Sequence, residues 1–491
     1  WVFFQHEEWA AFGNFFSGIS IPVFAPAVAH YVPFTVLFVK FYFKLFQLNS
    51  YAYALESLIS HILIVSLVYR LSIKLSLKPL LALLIAGFFA LNASSHQATS
   101  WLVADINTHM STIFALLSIL AIIDWKKIWL SALLLVVALL FKETPLALFV
   151  FLPFLALKNW DRAKIILTGL AYFAFRFSML FFARSHIDDR LVTETQSIYE
   201  VVVNLFTFPA KMFAQSLFPI RLLLSFAKWL SGPLPDSVVE NVVLQVIYWL
   251  IFIIFVGGSW FLIRKSKEFR LKKVAIFGFT LFFINSLIYV LSPGRGGSIP
   301  VVDSRNIYFP LIGFSIYLVS TLYILFKNKA IWIILALVSI HTIWLNKELI
   351  SLANIGRERK AILEQVKLEN PKLPQKVVFY MESDKPFYGM ADDQKIFPFQ
   401  INLGYTLIVW YWPTENFPRE FGNQTKFLYG LTEEGYKEDG GRGFGYYRDF
   451  TSLQTAVSKY NLFKESIIAY HYDSGTKRTI NITKEIRAKF K

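Results

Sequence analysis

The chain contains no cysteine among its 491 residues, which excludes disulfides and thiol catalysis and leaves the compartment open. Charge is scarce as well: only 17% of residues are Asp, Glu, Lys or Arg, against 55% hydrophobic and 18% aromatic residues. A mean hydropathy of +0.49 lies far outside the range of soluble globular domains. Also missing are a tandem repeat, an HExxH element and a close histidine triad. The glycines of "DGGRGFG" do not follow a nucleotide-binding spacing, and that segment reads as a loop.

What is present is a series of long apolar runs separated by short basic clusters, the pattern of a polytopic α-helical membrane protein. Ten runs read as spans, at about 53–73, 79–95, 104–123, 128–142, 144–157, 165–183, 243–263, 273–292, 306–326 and 330–348. The apolar opening leads us to expect one further span at or before Trp1, giving eleven. Basic residues fall in alternate connections: Arg70, Lys74 and Lys78; Lys126 and Lys127; Lys158, Arg162 and Lys164; "RKSKEFRLKK"; Lys327 and Lys329. By the positive-inside rule these connections are cytoplasmic. The net charge of +16 is explained in this way and implies no nucleic-acid partner.

The other connections, with residues 1–52 and the polar C-terminal part 349–491, then lie on the extracytoplasmic face of a plasma membrane or its equivalent. Between Ser17 and Leu48, three prolines with Lys40 and Lys44 interrupt the hydrophobicity and predict interfacial helices. The segment 53–348 forms the transmembrane domain. From Gln375 onward the runs "KVVFYME", "TLIVWYW", "SIIAYHY" and "RTINIT" predict strands of a small α/β domain, separated by polar and glycine-rich turns such as "KEDGGRGFGYY".

Candidate chemistry gathers on the outer side. Glu7 and Glu8 end the first apolar run and are suited to act as a base, a metal ligand or an interface charge. His96 lies in an outer loop, and Trp101, Asp105 and His109 follow at helical spacing on one stripe, facing a cavity or pairing with each other. Lys142 and Glu143 in "FKETP" either pair together or offer the lysine to an external anion. Arg295 and Arg305 in "SPGRGGSIPVVDSRNIYFP" bring guanidinium groups to the same face, where they suit phosphate oxygens. Carboxylates and cations beside a lipid phase are the equipment for sugar transfer from a lipid phosphate: the carboxylate takes the acceptor proton while cations stabilise the departing phosphate.

The order of these features resembles the GT-C glycosyltransferases, especially the O-mannosyltransferases that carry tetratricopeptide repeats and their bacterial relatives. The matching segments are "HEEW", "HYVPFTVLFVKFYFKLFQLNSYAYALESLISHILIVSLVYRL", "SSHQATSWLVADINTHMSTIFALLS", "LLFKETPLAL" and "DSRNIYFPLIGFSIYL", over about residues 5–350. The resemblance implies that Glu7 is the catalytic base with Glu8 beside it. It further implies that Arg305 and Lys142 contact the phosphate of a dolichyl-phosphate-mannose-like donor, and that His96 faces the same cavity. The chain departs from the family at several points: Glu stands where the family often has Asp, Val32 where it often has Arg before the early proline, and Ser304 where it usually has Glu. The repeats are replaced by the C-terminal domain, so a protein, a lipid or a glycan remains open as acceptor. No cofactor is expected, and a divalent metal at the acidic pair is the less favoured option. Two other readings stand beside this one: a transporter or flippase of an anionic lipid-linked sugar, binding cargo through Lys142, Arg295 and Arg305, and a structural assembly factor.

Overall fold

A computed structural model describes residues 32–47, 49–156, 158–182, 198–232, 234–235, 238–290, 301–384, 403–412, 414–418, 421 and 435–490. The chain divides into two compact units, one ending at Lys347 and the other beginning at Glu348.

The first unit is helical. Its helices are α1 (Pro33–Phe46), α2 (Ser50–Lys74), α3 (Pro79–Ala90), α4 (Leu102–Ile123), α5 (Ile128–Phe141), α6 (Asn159–Phe182), α7 (Ile198–Leu217) and α8 (Ile220–Ser231). They are followed by α9 (Leu244–Lys265), α10 (Phe269–Ser286), α11 (Ser304–Phe326) and α12 (Lys329–Glu369), the last of which runs on past the boundary. Proline opens α1 and α3 at the position where its missing N–H costs nothing.

Among the described residues six helices are long and apolar enough to cross a membrane: α2, α4, α9, α10, α11 and α12. Three of the other expected spans are short. Helix α3 has 12 residues and α5 has 14, and the run from Thr144 to Phe154 is broken into three pieces by Pro145 and Pro153. At 1.5 Å per residue the first two reach about 18 and 21 Å, short of the ~30 Å hydrocarbon core. Helix α6 is long enough, but Asp161, Arg162, Lys164 and Arg176 lower its hydropathy. The stretch from Arg184 to Asn241, expected to be an outer connection, contains instead a bent apolar pair: α7 and α8 meet at 102° where Pro219 ends the first helix's ladder. Helix α1, with Lys40 and Lys44 on it, is 14 residues long.

Helix α11 is the axis of this unit, since nearly every residue from Asn306 to Leu322 is buried. It meets α10 backbone to backbone. A Cβ at Gly278 would stand 2.6 Å from the Tyr317 nitrogen, and one at Gly313 would stand 2.4 Å from the Phe282 nitrogen. Small residues permit such contact where burial of apolar surface alone does not drive helices together. Polar groups bind the remaining helices. Ser259 on α9 meets the Tyr317 hydroxyl at 2.5 Å. His341 on α12 accepts from the Ala93 N–H (3.2 Å) through Nδ1, so its Nε2–H donates to the Leu217 carbonyl at the end of α7 (3.2 Å).

The second unit carries a five-stranded sheet of order β2-β3-β1-β4-β5, formed by β1 (Lys376–Ser383), β2 (Tyr436–Asp439), β3 (Arg442–Tyr447), β4 (Ile467–Asp473) and β5 (Arg478–Asn481). Strand β1 lies parallel to both β3 and β4, while β2 and β5 are antiparallel edges. On one face pack the end of α12 and α13 (Leu403–Tyr411) around Phe379, Tyr446 and Tyr470; on the other, α14 (Phe450–Lys459) and α15 (Thr483–Ala488) cover Tyr380, Tyr447 and Ile467.

Two expectations for this unit are corrected. "TLIVWYW" is helical, within and just after α13; its buried Leu407, Ile408 and Tyr411 recur at helical spacing and pack on the sheet. "KEDGGRGFGYY" is a β2–β3 hairpin rather than a loop. Gly440 and Gly441, at φ of +56° and +79°, form its two-residue turn. Gly443 is a glycine because the Tyr436 ring lies where its Cβ would be.

Candidate functional site

Helix α1 docks on the end of α5, where Phe141 receives the rings of Phe34 and Phe38 and its carbonyl accepts from the Thr35 hydroxyl at 2.7 Å. That end presents Lys142, whose Nζ donates to Thr108 on α4 at 2.9 Å and whose carbonyl accepts from Ser111 at 3.3 Å. Glu143 pairs with Arg176 of α6 at 3.8 Å and lies within electrostatic range of Lys142.

Arg305 stands in the first turn of α11. Its guanidinium lies over the Trp101 ring, 4.5 Å from the centroid, and meets Asp303 at 3.2 Å while remaining about a third exposed. The turn is tied to the segment before α4 by the Gln97 N–H, which donates to the Ser304 hydroxyl at 2.9 Å. Arg305, Glu143 and Asp303 all lie within electrostatic range of Lys142. The structure thus brings together Lys142, Glu143 and Arg305, three of the residues singled out from sequence. His96 folds onto its own turn, with Nδ1 3.0 Å from the Ser100 hydroxyl. Glu7, Glu8 and Arg295 lie outside the described residues.

Beneath these groups runs a buried polar stripe. Asp105 is 1% and His109 0% exposed, both on α4. Among the described residues neither His109 nitrogen has a hydrogen-bond partner and Asp105 Oδ2 has none, so the expected Asp105–His109 bond is not made. The His109 ring lies instead 5.2 Å from Tyr308 and 6.1 Å from His61.

His61, Tyr308 and Glu56 were not anticipated as site residues. His61 Nε2 faces the Ala90 carbonyl at 3.2 Å, which can only accept, so Nδ1 accepts from the Tyr308 hydroxyl at 2.6 Å. Glu56 accepts from Ser60 (2.7 Å) and from Tyr42 of α1 (3.3 Å) through Oε1, leaves Oε2 unpartnered, and lies within electrostatic range of Asp105. The signal that could have found Glu56 and His61 is their presence inside an apolar run, since an ionisable side chain there needs a partner or a cavity. Among the described residues no three His, Asp or Glu side chains converge as metal ligands.

Chemically the arrangement offers two cations backed by an aromatic ring for an oxyanion, above two carboxylates and an unpartnered imidazole able to exchange protons. No known protein family, curated protein or solved structure matches the chain.

Proposed function

We propose that the chain is a polytopic membrane glycosyltransferase of the GT-C kind, moving a hexose from a polyprenyl-phosphate donor to an acceptor hydroxyl on the extracytoplasmic face, with inversion. In this reading Glu7 is the general base with Glu8 beside it, and Lys142 and Arg305, joined by Arg295, hold the donor phosphate. His96, Glu143, Asp105 and His109 belong to the cavity. The short helices α3 and α5, the broken run from Thr144 and helix α6 complete the membrane domain of ten or eleven crossings.

The observation that carries the proposal is the approach of Lys142 and Arg305, which reach one place from the end of α5 and the start of α11. Two cations held near each other cost electrostatic energy, part of which the donor's phosphodiester anion recovers and more the departing phosphate, as it takes on a second negative charge. Asp303 occupies one edge of Arg305 and would be displaced or turned by the phosphate.

The test is release of polyprenyl phosphate from a radiolabelled polyprenyl-phosphate hexose by the purified chain in detergent. Loss of release in Glu7→Gln with retained donor binding, and weakened donor binding in Arg305→Ala, are the expected results. Full activity of Glu7→Gln would overturn the mechanism. Donor binding dependent on Arg305 without any turnover would favour transport of the lipid-linked sugar.

A further inference from the structure

The start of α5 and the start of α6 form a cluster that the proposed reaction does not use. Trp129, in the first turn of α5, is 65% exposed, and Trp160, in the first turn of α6, is 71% exposed. Lys164 on α6 joins them: its Nζ stands 5.5 Å from the Trp129 ring centroid and 6.0 Å from that of Trp160, within cation–π range of both. Two helices thus present two open indoles around one ammonium group.

Charge around this cluster is of one sign. Lys127 stands two residues before Trp129, Lys158 and Arg162 flank Trp160, and all three side chains are exposed. The carboxylates at this end are engaged: Asp161 meets Lys164 at 3.2 Å, and Asp124 meets Arg70 and Lys74 at 2.8 and 2.6 Å. Among the described residues no carboxylate pairs with Lys127 or Lys158. The cluster therefore keeps an excess of positive charge that an anion would complement.

Further along the same two helices the exposed surface is apolar. Leu133 on α5 and Ile166, Leu167 and Leu170 on α6 are all open. From Trp160 to Leu170 the helix rises roughly 15 Å, the depth of one leaflet of a ~30 Å hydrocarbon core. Indoles settle at the headgroup level and lysine stems reach toward it from below. A soluble anion would meet the cations and leave this apolar surface uncovered, whereas a phospholipid matches both parts at once.

We infer that Trp129, Trp160 and Lys164, with Lys127 and Lys158 at the rim, bind an anionic phospholipid, its headgroup among the cations and indoles and its acyl chains along α5 and α6. The inference rests on the reading of the chain as a membrane protein and is independent of the glycosyltransferase reading.

The test is native mass spectrometry of the full chain in neutral detergent, titrated with phosphatidylglycerol or with phosphatidylcholine, alongside hydrogen exchange of residues 126–132 and 158–166. The expected result is a first phosphatidylglycerol held about tenfold more tightly than phosphatidylcholine, with protection of both segments. Lys127→Ala/Lys158→Ala should lower that affinity about tenfold or more, and Trp129→Ala/Trp160→Ala should weaken both lipids. Lys265→Ala/Lys273→Ala, which removes two charges from the other basic turn, should change it by less than about twofold. Equal affinity for the two lipids, or equal losses in the two lysine pairs, overturns the site in favour of diffuse surface charge. Displacement of the lipid by inorganic phosphate also overturns it, since the headgroup alone would then suffice.

Discussion

Exchanging a glycine for alanine at the α10–α11 crossing should destabilise the protein, whereas the same change at a helix position with open space around it should stabilise it. At Gly313 the added methyl would meet the Phe282 nitrogen at 2.4 Å, the Gly278 oxygen at 2.7 Å and the Leu281 carbonyl carbon at 3.0 Å. All three are backbone atoms that no rotamer change can move, so the helices must part by roughly 1 Å to restore ordinary contact. Overpacking of this kind costs about 3 kcal/mol, and the better helix propensity of alanine returns about 1, for a net loss of about 2. At Gly87 on α3 a Cβ meets nothing within 4 Å, so Gly87→Ala gains the ~1 kcal/mol of propensity alone.

The assay is reversible unfolding from detergent micelles by SDS titration, followed by tryptophan fluorescence. Gly278→Ala added to Gly313→Ala should cost less than it does alone, because the first methyl has already separated the helices. Equal shifts of the same sign at Gly87 and Gly313 would refute the reasoning. The crossing also matters to the site, since α11 carries Arg305 and Tyr308, and a displaced α11 should weaken donor binding in parallel.

Four further outcomes are expected. Gly443→Ala should prevent the β2–β3 hairpin from closing, because the methyl collides with the Tyr436 ring; about 3 kcal/mol of stability is at stake, and loss of the β signal in circular dichroism would report it. Tyr308→Phe removes the donor to His61 Nδ1 and should cost about 1–3 kcal/mol in the same SDS titration. Asp303→Asn should tighten donor binding severalfold by freeing Arg305, with equilibrium binding of the labelled donor as the measurement. Hydrogen bonds from Lys74 and Arg70, with their charges, hold the Asp124 carboxyl below the usual carboxylate range. Its stabilising contribution is therefore present above that range and lost as the pH falls through the lowered value. Thermal unfolding of wild type and Asp124→Asn should diverge at neutral pH and converge in acid.

The ten apolar runs coincide with helical stretches because hydrophobicity is a local property of the chain. Their capacity to span was not legible at α3 or α5, where caps and turns shorten the helix inside an apolar run. The α7–α8 pair escaped notice because its apolar residues are interleaved with Asn204, Lys211, Gln215 and Arg221, and only folding shows which face they take. The strands at 376–382 and 466–472 were readable from β-branched and aromatic runs, but "TLIVWYW" has the same composition and is decided by helical packing. In the site, single charged residues such as Lys142 and Arg305 were visible, whereas their partners were not. Trp101 under Arg305 and Tyr308 against His61 are tertiary choices made by α11, which periodicity along one helix does not encode.

The histidine staple on α12 has a consequence for the order in which the chain can mature. His341 joins Ala93 to Leu217, groups 248 and 124 residues earlier in the sequence. Until the ribosome has delivered α12, the turn after α3 and the end of α7 hold backbone groups whose native partner has not yet been made. The first unit therefore completes these contacts only with its last helix, and a nascent chain halted short of that helix keeps two of its turns without their histidine partner, the kind of unfinished packing that quality-control machinery recognises.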